Sequence, residues 1–354
     1  NLRVVYVYMV KVDVWYETGH LDYDDNIEVK GALKSGFKIK GYDIKINGVD
    51  GGLIHSEGDI TIINNVNGAT IFSRGHISAN FIHGSTVSCL GNLYVEKEIV
   101  DSTVDCSGSC QVSSGKIINS KITANQGIHA KNIGNEKTGS NLIVVGQDAF
   151  VKKELIRIEK QIIEAEKDRA LLEKKKEMLL AENAEKQTSS TRDANELNRL
   201  LDQQRSMEEA LGELEAASDQ DESRQIRTLK ADLKQREIKY SRLDTRLNEL
   251  FDEMEKNEAQ RGEIEDNCDR LEDLIEDLNQ ERENYIEWTE ANQGAVTVIA
   301  EGNVCNGTII QGRHATKEIK QTVSNVRLIE CRLPGETDDT NIFEIQIHDN
   351  IKKR

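Results

Sequence analysis

The chain has 354 residues, with 63 Asp and Glu against 46 Lys and Arg, so its formal net charge is −17. A surface of this sign repels nucleic-acid phosphates and anionic lipids, which argues against nucleic-acid binding. The only basic cluster is residues 352–354, a pattern typical of a solvated tail. Aromatic residues make up only 5% of the chain, which suits a narrow solenoid or a coiled coil better than a thick α/β domain.

No stretch approaches ~18 uncharged apolar residues, so the sequence predicts no membrane span. Residues 2–16 are apolar but contain Arg3, Lys11 and Asp13, and they alternate from Val10 to Val14, which indicates a strand and not a signal peptide. The chain begins at Asn1, as expected of a fragment that lacks an upstream domain.

The six cysteines form no C-x-x-C pair and no Cys/His cluster with zinc-ligand spacing. This usage indicates reduced thiols in the cytoplasm and predicts no metal site. The histidines at positions 55, 76, 83 and 129 lie on or near the repeats, and we interpret them as solvated, outward-pointing side chains. A metal or catalytic histidine would need converging carboxylates, and the positions equivalent to His76 in other repeats hold Asp59, Asn92 and Ser109. We expect no catalytic residue and no cofactor.

The first 148 residues repeat every 16 to 18 positions. One line of apolar residues comprises Ile27, Ile44, Ile60, Ile77, Leu93, Cys110 and Ile128. A second line follows two residues later, and a third comprises Phe37, Ile54, Ile71, Val87, Val104 and Ile122. Coils of this kind cannot bury their apolar faces alone and must stack. Because the period slips, we predict a right-handed parallel β-helix and not a left-handed hexapeptide helix.

Residues 149–290 contain no proline and only two glycines, and apolar residues recur at alternating steps of three and four. This heptad pattern predicts two helical arms in an antiparallel coiled-coil hairpin. We place its turn near residues 218–221, and a polar stretch suggests a break near residues 187–192. Polar residues in the seam, such as Arg236 and Asn257, are explained equally by register selection and by local fraying.

Residues 291–354 return to the Gly-, Val-, Ile- and Asn-rich composition of the first segment. The sequence therefore predicts that the hairpin is an insertion into the β-helix. The return begins with an alternating strand at residues 295–298, and residues 342–347 alternate again as a capping strand. The predicted organisation is therefore a β-helix over 1–148, a hairpin over 149–290 and a return over 291–354.

Four segments resemble the flagellar assembly protein A (FapA) family. They are Thr-Gly-His-Leu-Asp-Tyr at residues 18–23, a Gly-Asp-Ile coil at residues 57–62, the run into the hairpin at residues 141–148, and the return at residues 302–309. The order of β-helix, hairpin and return is the more specific part of the resemblance. The resemblance implies a bacterial cytoplasmic protein with no catalytic residues, which assembles or regulates flagella through protein contacts.

The second arm is strongly acidic: residues 249–290 contain 17 Asp and Glu against 4 Lys and Arg. Such a face is ordinarily solvated, but it also fits a basic protein partner. The candidate partner-binding residues are Glu263, Glu265, Asp266, Asp269, Glu272, Asp273, Glu276 and Asp277.

Three functions compete at this point. An interaction scaffold, with unidentified protein partners and room for a homo-oligomer, fits every large feature. A β-helix enzyme, a lyase or an acyltransferase, would need Asp, Arg or His clustered on one ladder. A self-assembling filament resembling bactofilins would need open coil ends, against which the capping strand and the bulky insertion argue.

Overall fold

The computed structural model describes residues 6–136, 140–217, 223–333 and 342–349. The chain divides into two compact units, one of residues 1–157 with 282–354 and one of residues 158–281. The first unit is a β-solenoid of about eight turns, as predicted.

The solenoid is built from two sheets whose strands alternate along the chain, here numbered in chain order. Sheet 1 contains β1 (Val7–Val10), β3 (Asn26–Lys34), β5 (Ile44–Asp50), β7 (Ile60–Ile62), β8 (Asn65–Asn67), β10 (Ile77–His83), β12 (Leu93–Val100), β14 (Cys110–Ile118), β16 (Ile128–Ile133), β18 (Thr297–Val304), β21 (Val323–Leu333) and β22 (Ile342–Asp349). Sheet 2 contains β2 (Leu21–Asp22), β4 (Lys38–Gly41), β6 (Leu53–Ser56), β9 (Thr70–Ser73), β11 (Thr86–Cys89), β13 (Thr103–Cys106), β15 (Lys121–Ala124), β17 (Leu142–Val145), β19 (Ile309–Gln311) and β20 (Thr316–Glu318).

The core consists of in-register ladders of inward side chains, because parallel pairing places like positions of successive coils side by side. The first predicted line is confirmed, and it continues past the hairpin to Val298, which pairs with Ile128. Every member of this line is at most 2% exposed. The stacked apolar side chains therefore form one continuous core.

The third predicted line is wrong at its first member. Ile39, and not Phe37, pairs with Ile54. The spacing there is only 15 residues (54 − 39), because Gly51 and Gly52 both adopt positive φ, of 89° and 85°, and turn the chain tightly.

Sheet 1 contains a further ladder that the sequence analysis did not predict. It contains Leu33, Val49, Val66, Ile82, Ile99, Ile117, Ile133 and Val304, all at most 1% exposed. Its spacing of 16 to 18 residues is the same signal that revealed the first line. Bulges between the two ladders of this sheet, such as that between Val112 and Lys116, absorb the variation in coil length.

Two polar ladders run along the corners of the coils. Buried serine hydroxyls accept backbone N–H groups from the preceding coil: Ser85 accepts from Ala69 at 3.1 Å, Ser102 from Ser85 at 3.2 Å, and Ser120 from Ser102 at 3.1 Å. A second ladder lies at the glycine corners, where Asp59 accepts from the His76 N–H at 2.7 Å. These contacts satisfy turn amides that the parallel ladders leave unpaired.

The chain leaves the solenoid after β17 and returns at β18. Between them, α1 (Ala149–Ala217) and α2 (Ser223–Ala291) each span 69 residues. They pack as a helical hairpin, and cross-helix ion pairs such as Lys176–Glu265 and Lys239–Glu196 show that they are antiparallel. The predicted turn at residues 218–221 lies outside the described residues.

The predicted break near residues 187–192 is wrong, because α1 runs through this stretch without interruption. The hydroxyls of Thr188 and Thr191 donate to the carbonyls of Ala184 and Gln187, four residues earlier, so the helix accommodates them. Ser190 and Asp193 are buried in the seam, and Asp193 pairs with Arg246 at 3.2 Å.

After the hairpin, β18 and β19 resume parallel pairing with β16 and β17. The chain then reverses, since β20 pairs antiparallel with β19, β21 with β18, and β22 with β21. Ile319, Leu328 and Ile345, all at most 2% exposed, complete the core at this end.

Replacing Ile54 with alanine should lower the free energy of unfolding by about 2–5 kcal/mol, because the ladder cannot close around the cavity. The matched control is Leu53→Ala in the same strand, where the side chain is 37% exposed and the loss should stay below about 1 kcal/mol. Urea unfolding followed by tryptophan fluorescence measures both. Equal losses would contradict the assigned inward and outward faces.

Removing one rung of the serine ladder should also destabilise the solenoid. Ser102→Ala deprives the buried Ser85 N–H of its acceptor, and we expect a loss of about 1–3 kcal/mol in the same urea experiment. Ser113→Ala, at an exposed serine, serves as the control and should change stability by less than about 0.5 kcal/mol. A loss at Ser113 as large as that at Ser102 would contradict a specific contribution of the Ser102 hydroxyl to stability.

Candidate functional site

All eight predicted partner-binding carboxylates lie on the outer surface of α2 and are exposed. Glu265 is held by Lys176 of α1 at 2.7 Å, and Glu272 lies 3.8 Å from Arg169. The hydrogen bond from Lys176 lowers the pKa of the Glu265 carboxyl. These two residues therefore serve hairpin pairing.

The other six carboxylates form what we call the acidic face: Glu263, Asp266, Asp269, Asp273, Glu276 and Asp277. Among the described residues, no ion pair engages any of them. The seam residue Ile264 lies among them in sequence, Leu278 directly follows Asp277, and both are buried, 5% and 7% exposed, so the face projects away from α1. Its negative charge is open to a partner.

A polar layer crosses the hairpin seam. The Asn257 side-chain amide donates to the Asn183 side-chain oxygen at 2.9 Å, and Asn183 donates to the Met254 carbonyl at 3.3 Å. Lys186 pairs with Glu253 of the opposite helix at 2.8 Å. A shift of one helix along the other would leave these polar groups without their partners. The contacts therefore favour register selection over local fraying as the role of the polar seam residues.

The first turns of α1 and the last turns of α2 belong to the solenoid unit and contact side chains on or next to β9 and β13 of sheet 2. Phe150 is 2% exposed and stacks on Phe72, with ring centroids 5.2 Å apart. Phe72 stacks in turn on His55 at 4.6 Å. Arg74 lies over the ring of Tyr285 on α2 at 6.0 Å. An aromatic stack therefore joins the outside of the solenoid to the root of the hairpin.

Polar contacts reinforce the same junction. Lys153 of α1 forms an ion pair with Asp105, whose side chain is buried on β13. At the return of the chain, Asn125 donates to the Asn292 carbonyl at 3.0 Å, and Arg313 donates to the carbonyls of Gly146 and Gly294. Both crossings between hairpin and solenoid are thus fixed by hydrogen bonds.

Asp148 caps the N-terminus of α1. Its Oδ1 accepts from the Val151 N–H at 2.9 Å and from the Ser107 hydroxyl at 2.7 Å. Burial nevertheless raises the pKa of this carboxyl above its ordinary value. A hollow of about 350 Å³ lies beside it, lined by Lys121, Lys152 and Gln311.

Each of the four solenoid histidines lies near a carboxylate or accepts a backbone N–H group. His55 lies 3.0 Å from Glu57, and His76 Nδ1 accepts the Asn92 N–H at 2.8 Å as a rung of the corner ladder. His83 and His129 lie 3.4 Å from Asp101 and Glu301. In the part of the chain that the structure describes, no group of three or more His, Cys, Asp or Glu could hold a metal ion.

The cysteines are all free thiols. Cys89 and Cys106 are neighbours in the ladder of small residues on sheet 2, as the repeat predicts. A hydrogen bond with Cys89, together with burial, raises the pKa of the Cys106 thiol well above its ordinary value. Buried protonated thiols of this kind are unreactive core residues.

Asp148 yields a pH prediction. Its folded pKa is raised, so the native state binds more protons between the unfolded and folded pKa values, and stability falls as pH rises through that window. Asp148→Asn keeps an acceptor for the cap and should raise the midpoint of thermal unfolding at pH 7. That gain should vanish below about pH 3.8, where the carboxyl is protonated in both states.

The matched control is Asp24→Asn, which removes one charge from an exposed position of the solenoid. Thermal unfolding between pH 3 and pH 8 compares both variants with the parent chain. A gain at Asp148 that is independent of pH, or shared by Asp24→Asn, would contradict the assignment.

Among the described residues, no helix is long and apolar enough to cross a membrane. Searches of curated proteins and of solved structures found no match. The family model described as Flagellar Assembly Protein A beta solenoid domain matches residues 6–224, which is more than half of the chain and takes in the solenoid up to the hairpin and all of α1. The solenoid, the helical hairpin and this match together place the chain in the FapA family.

Proposed function

We propose that this chain is a non-catalytic scaffold of flagellar assembly or its regulation, which binds a basic protein partner through the acidic face of α2. Membership of the FapA family supports the flagellar part. The proposed binding of a basic partner rests on one observation: six carboxylates of the acidic face are exposed, whereas the two neighbouring carboxylates, Glu265 and Glu272, pair with α1. A surface of one sign speeds the encounter with a partner of the opposite sign.

Support for a non-catalytic role comes from the use made of the polar side chains. The corner carboxylates, the histidines and the serines serve ladders and ion pairs that hold the coils together. Six free thiols support a cytoplasmic location, because disulfides are rare in reducing compartments.

The test compares chains in the source organism. In one variant, five residues of the acidic face are neutralised: Asp266→Asn, Asp269→Asn, Asp273→Asn, Glu276→Gln and Asp277→Asn. The control neutralises five exposed acids elsewhere on the hairpin with the same charge change: Glu209→Gln, Glu213→Gln, Asp232→Asn, Glu237→Gln and Asp244→Asn. Flagella per cell are counted by electron microscopy after each gene replaces the chromosomal copy.

We expect deletion of the gene and neutralisation of the acidic face to reduce flagellation, while the control variant retains it. Normal flagella in the deletion strain would overturn the flagellar role. A defect in the deletion strain, with normal flagella in both neutralised variants, would overturn the acidic face as the binding surface. Thermal unfolding of the purified variants shows that the comparison concerns folded proteins.

A further inference from the structure

The outer surface of α1 carries a row in which basic and apolar residues alternate. Successive members are three or four positions apart, and a helix has 3.6 residues per turn, so their side chains share one face of the helix. All of them lie within the compact unit of residues 158–281. We call this set the alternating row: Lys160, Ile163, Lys167, Leu171, Lys174 and Met178.

The alternating row faces away from α2. Ile162 and Leu179, in the seam of the same stretch, are only 7% and 9% exposed. By contrast, Ile163 is 58% exposed, Leu171 68% and Met178 65%, more than any other large apolar residue that the structure describes in this unit. Single exposed apolar side chains are common on protein surfaces, but three in one row form a continuous strip.

The lysines of the alternating row also have no partner. Other lysines of the hairpin are engaged, such as Lys176 by Glu265 at 2.7 Å and Lys186 by Glu182 at 2.6 Å. Among the described residues, no ion pair or hydrogen bond engages the three lysines of the row, although acidic residues flank it along the helix. In a chain of net charge −17, this face therefore presents three uncompensated positive charges.

The shape of the row fits a helix. From residue 160 to residue 178 it follows the axis of α1 for about 27 Å, and its apolar members recur about every two turns. A second helix laid along α1 meets such a strip at each recurrence. Lysine stems lie along apolar surface while their ammonium groups reach outward, so the same helix meets positive charge on its flanks. The complementary occupant has an apolar side bordered by Asp and Glu.

Two other occupants fit the row less well. The acidic face of a second copy consists of carboxylates, so it would place charged groups against Ile163, Leu171 and Met178 and bury them at a cost. An anionic bilayer would be attracted to the lysines but repelled by a chain of net charge −17.

We propose that the alternating row of α1 binds an acidic amphipathic helix of a partner protein. The row and the acidic face of α2 share no residue, so this proposal stands or falls separately from the proposed function.

Fluorescence anisotropy of a labelled probe peptide tests this binding on the purified full chain. The probe has about three heptads, with Leu at a and d, Glu at b, c, e and g, and Ala at f, which gives one apolar side bordered by carboxylates. We expect saturable binding with a Kd of about 10–100 µM.

Two variants of the row separate its two chemistries. The first removes the apolar strip: Ile163→Ser, Leu171→Ser and Met178→Ser. The second removes the charges: Lys160→Gln, Lys167→Gln and Lys174→Gln. Because each removes half of the complementary surface, we expect each to raise the Kd at least about tenfold.

Each variant has a matched control in the same unit. The apolar control changes three residues that are 41–51% exposed: Leu201→Ser, Ile238→Ser and Phe251→Ser. The charge control changes three exposed basic residues: Lys234→Gln, Arg242→Gln and Lys256→Gln. Both controls should bind the probe within about twofold of the parent chain. Circular dichroism shows that all four variants keep their helices.

A parent chain that does not bind the probe at about 1 mM would overturn the proposal, as would binding that survives either row variant. Equal losses in the controls would show attraction to the hairpin at large and would also overturn it. Light scattering of the parent chain and flotation with vesicles of about 20% phosphatidylserine test the other occupants. Self-association or vesicle binding that depends on the row would assign the row to a second copy or a bilayer and overturn the proposal.

Discussion

The structure depends on the in-register stacking of inward side chains from one coil to the next. A single coil has too little apolar surface to stay folded, so each ladder position is stabilised by its equivalents above and below. This constraint permits a large insertion only where the ladders can resume. The hairpin meets it, since Val298 stacks on Ile128 and Ile310 stacks on Ile143, as if residues 149–290 were absent.

Polar groups solve the remaining problem of the turns. Serine hydroxyls and corner carboxylates accept backbone amides from the neighbouring coil, so each coil is tied to the next by side chains as well as by strands. On sheet 2, the outward side chains of Phe72 and Asp105 contact the root of the hairpin. Where the hairpin begins and ends, the outer face of this sheet therefore packs against the helices.

Both surfaces proposed for partners lie on the hairpin and not on the solenoid. The acidic face of α2 is charged and exposed, and it suits fast, salt-sensitive binding to a basic surface. The alternating row of α1 adds apolar side chains to its charges, and it suits a helix packed along it. The residues of both surfaces belong to the compact unit of residues 158–281, so substituting them leaves the ladders of the solenoid unchanged.

The sequence alone was enough to predict a solenoid with a helical hairpin, because the repeat of apolar residues and the heptad pattern can each be read from a single segment of the chain. Ladder spacing reports a stacked coil, and a heptad pattern reports a paired helix, whatever surrounds them. The third ladder was misplaced at Phe37 because a tight turn at Gly51 and Gly52 changed the spacing, and the continuous helix through residues 187–192 followed from hydroxyls bonding back to the preceding turn. Only the tertiary structure decided which carboxylates pair with α1, that Phe150 stacks on Phe72, and that the strands after β19 reverse direction, since these outcomes depend on groups far apart in the chain.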